Sequence, residues 1–130
     1  MSKIIIASGP VIVENNKVIL NKHGEDNFWK FCGGKVENLS ENLFKAAQRE
    51  AKEEIGVDLE IKETEPFLFY SQKKITEEVV DIILVHWFVK RIGEVRPGND
   101  IRAVEWHDLS DLPEDLAPNI LPTLKHFKFL

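Results

Sequence analysis

Residues 33–57, GGKVENLSENLFKAAQREAKEEIGV, constrain the fold more than any other stretch of the chain. A glycine pair is followed by apolar residues at helical spacing, then by three glutamates and a glycine stop. The pattern predicts a helix from Glu41 to Ile55, with Ser40 as N-cap and Gly56 as the C-terminal stop. At 3.6 residues per turn, Phe44, Ala47, Ala51 and Ile55 share one apolar arc that must dock on a sheet. Lys45, Gln48 and Lys52 face water. Glu50, Glu53 and Glu54 line the border between the two, within an arc of about 100°. Acids are costly there, because the helix dipole leaves partial negative charge at this end, from a few tenths to about 1 kcal/mol each. Repulsion at i,i+3 and i,i+4 adds roughly 0.2–0.5 kcal/mol per pair. Stability alone favours lysine; the sequence asks for a cation.

The remaining chain supplies the sheet. Residues 3–13 and 17–22 are β-branched and apolar around Asn15-Asn16, which predicts a hairpin. A polar turn over 23–27 leads to a short aromatic strand, Phe28 to Phe31. Two longer strands, Val57–Tyr70 and Glu78–Arg91, are joined by residues 71–74. The turn Gly93 to Asn99 precedes a strand from Ile101 to Trp106. Pro113 and Pro118 punctuate the tail, and Ile120 to Phe127 reads as a closing helix. The expectation is an α/β (α+β) chain, a mixed sheet carrying helices on its faces, in one domain over residues 1–130.

Charge and composition exclude several partners. A net charge of −5 argues against a nucleic-acid polymer or an anionic membrane. A small anion stays open, because a bound cation reverses the local field. The single cysteine, Cys32, has no partner for an internal disulfide, so a cytoplasmic location is expected. Gly9-Pro10 interrupts the apolar stretch from Ile4 to Val13. The run Val79–Val89 carries Asp81 and His86 and is too short to span a bilayer. One cysteine and four scattered histidines give no zinc spacing, whereas clustered carboxylates suit Mg²⁺.

The segment resembles the Nudix box, G-x5-E-x7-R-E-U-x-E-E-x-G-U, where U is aliphatic. Arg49-Glu50-Ala51-Lys52-Glu53-Glu54-Ile55-Gly56-Val57 matches its second half, with Ala51 at a U position. Glu41 stands eight residues before Arg49, as the pattern requires. The chain departs from the pattern twice. Six residues separate Gly34 from Glu41 instead of five, with Asn38-Leu39-Ser40 replacing a two-residue turn. Cys32 stands where the family often has proline. The extra residue is expected in the loop, because inside the helix it would rotate Glu41 by about 100° away from Arg49. The resemblance implies a Nudix fold, an α-β-α sandwich, and hydrolysis of a nucleoside diphosphate-linked substrate with Mg²⁺ (or Mn²⁺). It implies Glu50, Glu53 and Glu54 as metal ligands, with Glu50 and Glu53 as the catalytic carboxylates. Gly33 or Gly34 would offer a carbonyl to the metal, and Arg49 with Glu41 a structural ion pair.

Substrate is written less clearly than chemistry. Asp100, ahead of Trp106, is a candidate further metal ligand or a turn aspartate. Residues Leu116 to Lys125 are similar to the end of the MutT branch, which hydrolyses oxidised guanine nucleoside triphosphates. Asn119 occupies the position that reads the base edge there; its alternative role is a helix N-cap. Lys35, beside the glycines, is a candidate phosphate contact. Phe28, Trp29, Phe69, Tyr70, Trp87 and Trp106 include a candidate stacking partner. The expected partner is thus a small nucleotide, probed first as a triphosphate cleaved to monophosphate and pyrophosphate. ADP-ribose and dinucleoside polyphosphates remain alternatives, as does a nucleotide-binding module without turnover. The sequence leaves monomer and homodimer open.

Overall fold

Alternation along one strand sets the architecture. In the computed structural model, which describes residues 3–38 and 40–130, strand β3 (Lys17–His23) is buried on both sides. Its Val18 and Leu20 pack with Ile120, Leu124 and Phe127 around helix α2 (Ile120–His126). Its Ile19 packs with Ala47, Ala51 and Ile55 of helix α1 (Leu43–Ile55). Successive strand residues point to opposite faces, so the two helices cover opposite sides of the strand layer. Val11 and Ile12 divide in the same way.

Strands β1 (Lys3–Val11), β4 (Gly34–Lys35), β5 (Asp58–Ile61), β6 (Phe67–Ile75) and β7 (Glu78–Ile92) form a mixed five-stranded sheet. β1 runs parallel to β7, whose other edge pairs antiparallel with β6 and then with β5. Strands β2 (Val13–Glu14), β3 and β8 (Ile101–Asp108) form a second, three-stranded sheet. The chain passes from one sheet to the other at Ile12. The β2–β3 hairpin turns on Asn15 and Asn16, with φ of 51° and 63°. Asparagine tolerates that left-handed pair, which matches the strand twist.

Several boundaries differ from the sequence reading. Helix α1 begins at Leu43 because Asn42 caps it, its side chain accepting from the N–H groups of Phe44 (2.9 Å) and Lys45 (3.1 Å). Ser40 instead donates to Asn38 Oδ1. Leu39, within the inserted turn, lies outside the described residues. The expected strand over 57–70 is two strands, interrupted before Pro66, which cannot donate to a ladder. Residues 71–74 belong to β6 rather than to a loop, and the chain turns at Thr76, φ 53°. Phe28–Phe31 is no strand; Trp29 and Lys30 make isolated bridges to Leu116 and Asn21. Among the described residues, no helix is long and apolar enough to cross a membrane.

Candidate active site

The glycine loop folds back on α1 where the three glutamates end it. Gly34 pairs with Ser8 of β1 through the short strand β4. A Cβ on Gly34 would lie 2.5 and 2.6 Å from the two Glu50 carboxylate oxygens, so a side chain there would push the carboxylate out of its place. Glu54 is buried, and its Oε1 accepts from three donors: His23 Nε2 at 2.9 Å, Asn21 Nδ2 at 3.4 Å and Gly33 N–H at 3.4 Å. Glu53 faces water. Loop N–H groups answer the helix-end carbonyls: Arg96 donates to Ile55 and Gly98 to Glu54, each at 2.8 Å.

Arg49 anchors this arrangement. Its Nε and Nη2 donate to the two Glu41 carboxylate oxygens, each at 3.1 Å, and its Nη1 donates to Glu50 at 2.9 Å. Glu41 reaches Arg49 from just before the helix, so the ion pair forms although the helix starts two residues later than expected. Burial pushes the Glu50 carboxyl above its ordinary value, and the neighbouring Glu54 adds to the effect against the opposing pull of Arg49. A cation beside Glu50 would offset both the burial and the charge of Glu54 that act on it. Cys32 is a packing residue: burial, then the charges of Glu54 and Glu50, raise its thiol well above the ordinary range.

The donor set fits a hard divalent cation. Oxygen atoms dominate, and Asn21 Oδ1 is buried beside Glu54 without a hydrogen-bond partner. Among the described residues, no three His, Cys, Asp or Glu side chains converge into a ready-made cage. Mg²⁺ does not require one, since it keeps waters and takes substrate phosphate oxygens.

Gly33 and Gly34 also line a cleft of about 450 Å³, whose walls include Phe28, Phe31, His86 and Asn119. A more polar hollow of about 530 Å³, beside Glu14, Lys62 and Arg91, contains no residue of α1. Of the six aromatic candidates, Phe28 alone lines the cleft, and it is 42% exposed. Asn119 does not cap α2 with its side chain; its amide donates to His86 Nε2 at 2.8 Å. Lys35 is exposed on β4, and its carbonyl accepts from Arg49 at 3.4 Å. Asp100 is exposed beyond the loop that covers the end of α1, its carbonyl accepting from Gly24 at 3.1 Å.

The structure thus gathers Glu50, Glu54, Gly34, Arg49 and Glu41 in one cluster and sets Asn119 across the cleft. Asn21 and His23 were not singled out from the sequence. They continue the face of β3 that Ile19 turns toward α1, and two polar residues at that period were the available signal.

The chain was compared with known proteins. A family model described as NUDIX domain matches residues 5–127. The chain is 29% identical over 113 residues to an ADP-ribose pyrophosphatase of Methanocaldococcus jannaschii, covering 84% of this chain and 64% of that relative's length. Its fold superimposes on a MutT NUDIX hydrolase from Burkholderia pseudomallei with a TM-score of 0.81 and 25% identity, over 95% of this chain and 97% of that one. The E. coli ORF135 protein superimposes with a TM-score of 0.75 and 26% identity, over 97% and 89%. The mixed α+β fold and the glutamate-ended helix agree with these matches, and the chain belongs to the Nudix family.

Proposed function

We propose that this chain is a divalent-metal-dependent hydrolase of nucleoside diphosphate-linked compounds, acting on a purine nucleoside triphosphate to give the monophosphate and pyrophosphate. One observation carries the reading: the glycines that crowd Glu50 and hold Glu54 line the same cleft as Asn119 and Phe28. A single ligand then spans both, with its phosphates at the carboxylates and its base between Phe28 and Asn119.

Glu50 and Glu54, with the Gly34 carbonyl as a further oxygen, would hold the cation together with water and substrate oxygens; Glu53 and Asp100, both exposed, are not gathered with them. When bound, the cation neutralises diphosphate charge and makes hydroxide available near neutral pH. The chain's own groups do the rest. Arg49 fixes the Glu50 carboxylate by its bond to one oxygen. Held in this way beside the glycine loop, Glu50 is the carboxylate that would take the proton of the attacking water. His23 and Asn21 hold Glu54 in place. Phe28 offers a stacking face, Asn119 a polar contact to the base edge, and Lys35 a charge for the phosphates.

The relative from M. jannaschii supports ADP-ribose as a second reading. A panel of nucleoside triphosphates, dinucleoside polyphosphates, ADP-ribose and nucleotide sugars, incubated with the protein and Mg²⁺ and resolved by mass, separates them. Pyrophosphate and a purine monophosphate are expected as the dominant products. AMP and ribose phosphate from ADP-ribose, without triphosphate cleavage, would replace this reading with the second.

A further inference from the structure

His86 and Asn119 are both buried, at 4% and 8% exposure, and their hydrogen bonds can be read in only one direction. His86 Nδ1 lies 3.1 Å from the Phe67 carbonyl oxygen, which can only accept, so Nδ1 carries the proton. Burial holds the ring neutral against the pull of the Phe67 and Leu84 carbonyls, its pKa lowered to about 4. A neutral imidazole has one N–H, so Nε2 is a bare acceptor. The Asn119 amide nitrogen, 2.8 Å away, must be the donor. Asn119 Oδ1 bonds to no described residue and is not among the buried unpartnered atoms, so it is the amide atom left to the cleft.

We propose that His86 is a positioning residue that locks the Asn119 amide with its carbonyl oxygen toward the cleft, so that the site selects a base edge carrying an N–H over one presenting a bare ring nitrogen. The proposal rests on the nucleotide reading above. An unlocked amide rotates by half a turn and serves either edge. Here that rotation would bring Oδ1 against Nε2, two acceptors at hydrogen-bond distance, and leave both unpaired. Oxidation of guanine at C8 makes this distinction, since it turns N7 from an acceptor into an N–H donor. A locked acceptor therefore favours the oxidised base through Asn119, and His86 sets that preference without touching the nucleotide.

The test compares kcat/KM for 8-oxo-dGTP and dGTP in the wild type, His86→Phe, His86→Gln and Asn119→Ala. The wild type should prefer the oxidised nucleotide. His86→Phe removes the acceptor that holds the amide, so the preference should fall about tenfold, the worth of one hydrogen bond. Part of that fall should come as a gain on dGTP, through a lower KM, because the freed amide can now donate to N7. His86→Gln, which returns a carbonyl oxygen to the region of Nε2, should restore most of the preference. A residue that only fills the core would lower both substrates in equal proportion, and that result for His86→Phe overturns the proposal.

A second measurement does not depend on the variants folding. Nitrogen chemical shifts of the wild-type His86 ring should show a protonated Nδ1 and a bare, hydrogen-bonded Nε2; the opposite tautomer overturns the lock. Failure to hydrolyse either nucleotide would instead remove the nucleotide reading. Hydrolysis of both without preference, with the tautomer as described, would overturn the selection and leave the hydrolase reading standing.

Discussion

Glu50 and Glu54 stand one helical turn apart, each held by a different set of donors. Arg49 holds the first and β3 holds the second, so neither side chain depends on the other for its orientation. Their mutual repulsion, together with burial, lifts the proton affinity of Glu50. Glu50→Gln should therefore raise the melting temperature of the metal-free protein while cutting turnover by at least about a hundredfold, the usual worth of a positioned acid–base group. Thermal melts in chelator and initial rates in Mg²⁺ check both halves. The three glutamates were legible in the sequence because helix spacing relates them, and the Arg49–Glu41 pair because the family resemblance implied it. The partners of Glu54 were not, because β3 meets α1 only through the fold. His86 stands with Asp81 in an apolar run, and its hydrogen-bond partner Asn119 is 33 positions away.

Elements were legible where a single local signal set them. Asn15-Asn16 marks its hairpin through backbone geometry that few residues tolerate, and Gly56, φ 74°, ends α1 as its position predicts. Competing local signals misled at the other end of that helix. Ser40 and Asn42 are both good caps, and it is the Asn42 side chain that reaches the first N–H groups of the helix. Asn42→Ala should cost about 1 kcal/mol, while Ser40→Ala should stay within a few tenths, as for any surface site. Chemical denaturation of the two variants checks this, and a larger loss at Ser40 would return the cap to the residue expected from sequence. The strand boundary near Pro66 and the extension of β6 to Ile75 depend on pairing with β7. A strand's neighbours decide how far it runs, and local composition does not report them.

At the scale of the molecule, alternation across β3 places one helix on each side of the strand layer, and the two halves of the site come from these two sides. α1 brings the carboxylates, and the turn before α2 brings Asn119; β1 and the glycine loop lie between them and line the cleft. Family resemblance made the architecture and the carboxylate cluster legible, whereas the cleft joining them had to be seen in three dimensions. The central claim is that these halves act together on one nucleotide with a divalent cation at the glutamates. The most direct test is a Mg²⁺ titration of chelator-treated protein, following pyrophosphate release from a purine triphosphate alongside the melting temperature. Activity should be absent in chelator and return with Mg²⁺ or Mn²⁺, and the melting temperature should rise with added metal, because an ion that binds only the folded state stabilises it by mass action. Hydrolysis that persists in chelator at the metal-restored rate would contradict the account.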